Sequence, residues 1–284
     1  MLTWTKNIET FLGCDSDYLN AKAVIFGAPY DGTTSYRPGT RFASRTMRGE
    51  SYSLETYSPY QDRELTEYAV FDGGDLDFPF GRAETILGMI EQTVASILAD
   101  GKKSVMIGGE HLVTLGSVKA VAARYPDLRL VQFDAHADLR DDYLGEKLSH
   151  ATVIRRCWDL LGDHKIYQFG VRSGEKTEFE WGSRHVFCNR FNFDGIDSIA
   201  EKLCDKPVYL TIDLDVLDPS VFPGTGTPEA GGVIFTQLLQ AILALKGLNI
   251  VACDINELSP PFDQSGISTA TALKVLRELL LCIL

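Results

Sequence analysis

The chain has 284 residues, with 39 acidic and 27 basic side chains and a formal charge of −12. This acid excess argues against nucleic acid or an anionic membrane as partner, since both need a basic footprint, but it permits a cationic partner or bound metal. Apolar residues make up 45%, enough for a sizeable core, and no apolar run approaches the roughly 18 residues of a membrane helix.

The first fourteen residues are interrupted by Lys6, Asn7 and Glu9 and hold no apolar leader segment, so a cytoplasmic location is expected. The six cysteines, at 14, 157, 188, 204, 253 and 282, form no Cys-x-x-Cys pair. They are read as reduced and mostly buried.

Along the chain, short apolar strands alternate with longer helical patterns. Residues 23–28 and 67–71 read as strands. Residues 82–99 place Ile86, Met89, Ile90, Val94, Ile97 and Leu98 on one helical face, and Gly101 supplies a stop. A strand at 103–107 precedes a helix at 112–125, which ends before Pro126. Further strands are expected at 129–133, 165–170, 185–187, 208–212 and 250–255. Helices are expected at 196–204, 235–246 and 268–282. Strands such as 208–212 are apolar on both faces, the mark of a parallel sheet covered on each side. The expectation is one α/β domain over 1–284, a three-layer αβα sandwich with a mostly parallel central sheet. Two long loops interrupt the rhythm, 27–48 and 218–232, both rich in Gly and Pro. Loops of that length in a compact domain are usually functional or disordered.

The densest chemistry is Asp134-Ala135-His136-Ala137-Asp138, directly after the strand at 129–133. On an extended segment this alternation puts all three on one side. The strand at 208–212 ends in Asp213-Leu214-Asp215. The strand at 103–107 ends in Gly108-Gly109-Glu110-His111. Three strands thus deliver acids or histidines to one sheet edge, where parallel α/β sheets bind ligands. Two His and four Asp, without Cys, suit manganese better than a thiolate-loving ion. Six ligands exceed the need of one catalytic ion, and four anions in one cleft repel unless some bridge. Two ions answer both points and can supply a hydroxide nucleophile. His164 and His185 are read as ordinary packed histidines, and Asp218 before Pro219 as a turn residue. Glu110 could orient His111 from behind, or be a surface or cap residue.

These motifs, with Asp213-Leu214-Asp215-Val216-Leu217-Asp218-Pro219, resemble the three signature regions of the ureohydrolases, the arginase–agmatinase family. The loop 27–39, the segment 224–232 and Glu257-Leu258-Ser259-Pro260-Pro261 resemble agmatinase segments. Many members carry Asp where this chain has Glu110. The resemblance implies a parallel sheet flanked by helices and two Mn2+ ions. One ion would be held by His111, Asp134, Asp138 and Asp213, the other by His136, Asp134, Asp213 and Asp215. It implies that Glu257 receives the substrate guanidinium, that Asp138 passes a proton to the leaving amine, and that His150 exchanges protons with solvent. The implied reaction releases urea and a primary amine. Agmatine, giving putrescine, is the preferred substrate, mainly because the N-terminal and Glu257 regions resemble agmatinases and secondarily because Asp141, Asp142 and Glu146 outnumber Arg140 and Lys147 on the following loop. Guanidinobutyrate is the near rival, with Arg140 or Lys147 receiving its carboxylate, and arginine is another. A silent metal- or polyamine-binding homologue and a single-zinc deacetylase are the rivals of other kinds. The family commonly forms trimers and hexamers, so a homotrimer or homohexamer is expected.

Overall fold

A computed structural model describes residues 9–284. Most of the stretch read as lacking a leader therefore lies outside the described residues. In chain order the strands are β1 (Ala23–Gly27), β2 (Tyr57–Ser58), β3 (Arg63–Glu64), β4 (Val70–Asp75), β5 (Lys103–Ile107), β6 (Arg129–Phe133), β7 (Ile166–Val171), β8 (Phe187–Arg190), β9 (Pro207–Asp213) and β10 (Asn249–Asn256). The helices are α1 (Ala43–Glu50), α2 (Ala83–Ala99), α3 (Thr114–Arg124), α4 (Val153–Leu161), α5 (Lys176–His185), α6 (Ile196–Lys202), α7 (Phe235–Ala244) and α8 (Ile267–Ile283).

Eight strands form one parallel sheet in the order β4-β1-β5-β10-β9-β6-β7-β8. Alternate residues of its central strands point to opposite faces, and each face has its own core. Ile25, Val105, Phe133, Leu210 and Ile255 pack with side chains of α1, α7 and α8. Val24, Phe26, Met106, Leu130 and Ala252 pack with those of α2, α3 and α4. This two-sided burial explains why the central strands carry almost uninterrupted apolar runs. Each fully buried Leu, Ile or Phe contributes about 1.5–3 kcal/mol relative to exposure.

The departures from expectation have local causes. The strand expected at 67–71 begins at Val70, because residues 65–67 form a 3-10 turn. His185 closes α5, and β8 starts at Phe187. The long loop 27–48 turns helical at Ala43, where Ala43, Ser44, Met47 and Arg48 bury one face of α1. The β2–β3 hairpin packs over α8. There Ser58 and Gln61 donate to the buried Glu278 carboxylate at 2.7 and 3.0 Å, and Glu278 pairs with the buried Arg277 at 2.6 Å. A helix buried throughout its C-terminal half, from Val275 to Ile283, needs such partners for its ionic residues.

Between β5 and the site, Gly109 is wedged under the N-terminal loop. A Cβ there would overlap the Tyr30 backbone, whose carbonyl accepts from Glu110 N at 2.7 Å. Gly109→Ala should therefore destabilise the protein by about 1–3 kcal/mol through overpacking. Gly88→Ala, in α2 with open space around the added methyl, should stabilise it by about 0.5–1 kcal/mol. Urea denaturation midpoints check both, and equal midpoints for the two variants would contradict the packing account.

Candidate metal centre

The four strands β5, β10, β9 and β6 are adjacent, and the chain leaves each at its carboxyl end with an acid or histidine. β5 leads to Glu110 and His111, β10 to Glu257, β6 to Asp134, and β9 ends in Asp213. Two residues reach the cleft through left-handed backbone, Asp138 at φ 53° and Glu257 at φ 66°. The alternation expected for Asp134, His136 and Asp138 on an extended segment is thus broken at its end. Asp138 enters through a kink instead of simple pleating.

His111 Nδ1 faces three carboxylate oxygens, on Asp134 at 3.0 Å, Asp138 at 3.1 Å and Asp213 at 3.4 Å. His136 Nδ1 lies 2.9 Å from Asp215 Oδ2 and 3.6 Å from Asp134 Oδ1. Two groups could hold an ion: His111, Asp134 and Asp213, and Asp134, His136 and Asp215. Asp134 belongs to both, with Oδ2 toward His111 and Oδ1 toward His136. Asp213 joins only the first group, and its Oδ1 accepts from Asp215 N at 2.9 Å. One imidazole nitrogen carries at most one proton and so cannot satisfy three carboxylates. A cation between them can, so the donor set fits a metal pair.

The electrostatics agree. Burial works against a charged His111, yet Asp134 and Asp138 outweigh it and hold its pKa well above the ordinary value. His136 is raised in the same way, mainly by Asp215 against its own burial. Asp138 is pushed up to about 7 by burial and by the Asp134 charge. Burial, then Asp215 and Asp134, push Asp213 well above the carboxylate range. Glu257 rises through burial, then through Asp215 and Glu110. Without a cation, the cluster holds protons in the place of metal charge.

Supporting contacts fix the donors. The other His111 nitrogen, Nε2, meets Thr211 Oγ1 at 2.9 Å. Gln132 Nε2 donates to Asp134 Oδ2 at 2.6 Å, and Gln168 donates to Gln132 at 2.7 Å. Neither Gln132 nor Thr211 features in the sequence reading. Their signal was a polar residue inside an otherwise apolar strand. Glu110 is fully buried, so it is not a surface residue; it stands at the N-cap position of the 3-10 turn His111–Val113, but its side chain does not cap that turn. It accepts from Thr33 N at 2.8 Å, Thr33 Oγ1 at 2.6 Å and Thr34 Oγ1 at 3.1 Å. It pins the N-terminal loop rather than orienting the His111 ring. Thr33 Oγ1 in turn accepts from His150 N at 3.1 Å.

A cavity of about 150 Å3 opens above the cluster, lined by His111, His136, Asp138, Asp213, Glu257 and His150 among others. Burial, then the nearby His136, lower the His150 pKa to about 4, so its ring is neutral. Glu257 Oε1 accepts from His111 N at 2.8 Å. Asp141 and Asp142 do not line this cavity, and Glu146 lines a separate one. Asp141 pairs with Arg156 at 2.8 Å. The acid-leaning rim expected from these three residues is therefore not at the site. His164 and His185 lie away from it, and His185 pairs with Asp163 at 2.6 Å. Asp218 is the turn residue expected, accepting from Ser220, Gly231 and Gly232 N at 2.8–2.9 Å.

Because protons on the cluster would have to leave when a cation binds, divalent-cation affinity should increase as pH rises through about 7. Calorimetric titration in buffers of different ionisation enthalpy should show protons released on binding. An affinity independent of pH would contradict this account.

Residues 21–282 match the model of the arginase family. The chain is 46% identical to an agmatinase of Bacillus cereus over 278 residues, spanning 96% of each chain. A solved structure from Clostridium difficile superposes with a TM-score of 0.92 at 50% identity, covering 94% of this chain and 98% of the other. The agmatine ureohydrolase of Thermoplasma volcanium superposes with a TM-score of 0.89 at 35% identity, covering 98% and 95%. With a family match over nearly its whole length, and the fold and buried His–Asp cluster described above, the chain belongs to the arginase family.

Proposed function

We propose that this chain hydrolyses the guanidinium group of agmatine to urea and putrescine at a binuclear manganese centre. The observation that carries the reading is the buried His–Asp cluster, doubled through Asp134, at the floor of a cavity that also presents Glu257. The likeness to agmatinases supports the substrate, and the oxygen-rich donor set supports manganese. His111, Asp134, Asp138 and Asp213 would hold one ion, and His136, Asp134, Asp213 and Asp215 the other. When bound, the ions supply a nucleophile from water at neutral pH and offset the negative charge that develops on the reacting group.

The chain's own groups do the rest. Glu257 receives the guanidinium, a charge-assisted contact that sets the reacting carbon above the cluster. Asp138 takes a proton at its carboxylate and passes it to the leaving amine nitrogen. His150 is neutral and sits on the cavity wall beside Thr33 and Ser35. It accepts protons and exchanges them with solvent. The chain acts as one domain, in the cytoplasm, as a homotrimer or homohexamer.

One assay tests the reading. Manganese-loaded protein is given agmatine, arginine, guanidinobutyrate and guanidinopropionate in parallel, and urea is measured. Agmatine should be turned over fastest. No urea from any compound would sink the ureohydrolase reading, and fastest turnover of another would refute the agmatine assignment. Asp134→Ala should lose both bound ions and activity. If it kept wild-type metal content by elemental analysis, the shared-ligand assignment would be wrong.

A further inference from the structure

Among the described residues, the cavity wall carries a single basic side chain of Lys or Arg type, Arg140. A free guanidinium there would receive the carboxylate of a guanidino acid in bidentate fashion. Arg140 is not free. Its Nη1 lies 3.0 Å from Glu175 Oε1, and its Nε lies 3.5 Å from Glu178 Oε2. Its guanidinium also sits 4.7 Å from the centre of the Tyr143 ring, so a third side is covered.

The two glutamates differ in kind. Glu178 is buried and built into the backbone, accepting from Leu139 N at 2.9 Å and Glu175 N at 2.7 Å. Glu175 opens α5 and its side chain is 57% exposed. Two carboxylates against one guanidinium, Glu178 in the wall and Glu175 just outside it, more than offset the Arg140 charge. A carboxylate tail entering here would have to displace Glu175 and would still meet Glu178. A cationic tail meets only the excess. The exposed loop acids 141, 142 and 146 neither line the cavity nor pair with Arg140, whereas Glu175, itself outside the lining, does pair with it.

We propose that Glu175, acting through Arg140, is a specificity-determining residue that makes the site select guanidines with a positively charged far end over those ending in a carboxylate. This rests on the ureohydrolase reading above and adds the residue that decides between its two nearest substrates. Glu175 touches no reacting atom. It acts by occupying Arg140.

The test compares kcat and KM for agmatine and 4-guanidinobutyrate, which are similar in length and opposite in terminal charge. The proteins are manganese-loaded wild type, Glu175→Gln, Glu175→Asp, and the double variant Glu175→Gln with Arg140→Gln. Glu175→Gln should shift the ratio of kcat/KM values toward guanidinobutyrate by about tenfold, the scale of one charge-assisted hydrogen bond. The shift should lie in KM, with kcat nearly constant. Glu175→Asp should keep the wild-type preference, and adding Arg140→Gln should abolish the gain. An unchanged ratio in Glu175→Gln, or a gain that survives the loss of Arg140, overturns the proposal while leaving the hydrolase reading intact. Absence of urea from both substrates with wild type overturns the hydrolase reading and this inference with it.

Discussion

The structure turns on a like-charge problem. Asp134, Asp138, Asp213, Asp215, Glu110 and Glu257 are all buried around one cleft. Burial penalises each carboxylate, and proximity adds repulsion. Two histidines relieve part of this, His136 facing Asp215 at 2.9 Å and His111 facing Asp134 at 3.0 Å. The remainder calls for cations, from protons or from metal. The arrangement is therefore a binding site before it is a catalytic one, and its electrostatic cost is met only by a ligand of opposite sign.

Holding such a cluster together falls to the sheet. Parallel strands end in register, so β5, β10, β9 and β6 can each present one acid or histidine at the same level. Below that level the strands carry a buried polar layer. Thr114 donates to Asp254 at 2.9 Å, and Asn256 Nδ2 donates to Asp254 at 2.7 Å and to Thr114 at 3.0 Å. Tyr209 bonds the same carboxylate. Thr211 links this layer to His111. A histidine whose second nitrogen is tied in this way has one ring orientation available, which pre-sets its ligand geometry. On the far side of the cleft, the Arg172 guanidinium donates to the carbonyls of Asp215 and Glu229 at 2.8 Å. It fastens the loop after β9 over the site.

The −12 charge now divides by location. A minority of the acids crowd the cleft and face cations. Glu175 and Glu178 pair with Arg140, the cavity's one Lys or Arg among the described residues. Many of the others are exposed and pair locally, as Asp141 does with Arg156 or Asp163 with His185. Net charge alone could not separate these classes, since it carries no positional information.

Strand positions, the layered α/β plan and the motif residues could be read from the chain because each rests on local periodicity or on short spacing. Apolar runs mark strands buried on both faces, and paired acids at strand ends mark the cleft. Elements held by distant partners could not be read. The α1 helix depends on burying Met47 and Arg48, and the β2–β3 hairpin on meeting Glu278 some 220 residues away in sequence. The same division runs through the site. His111, Asp134, His136, Asp138, Asp213 and Asp215 stand out in sequence by type and spacing, and Glu257 by the family resemblance alone. Which oxygen of Asp134 faces which histidine, Glu110 as the anchor of the N-terminal loop and Glu175 as the partner of Arg140 emerge only in three dimensions. Each of those roles depends on which oxygen faces which nitrogen, a relation set by packing between segments that are not neighbours along the chain.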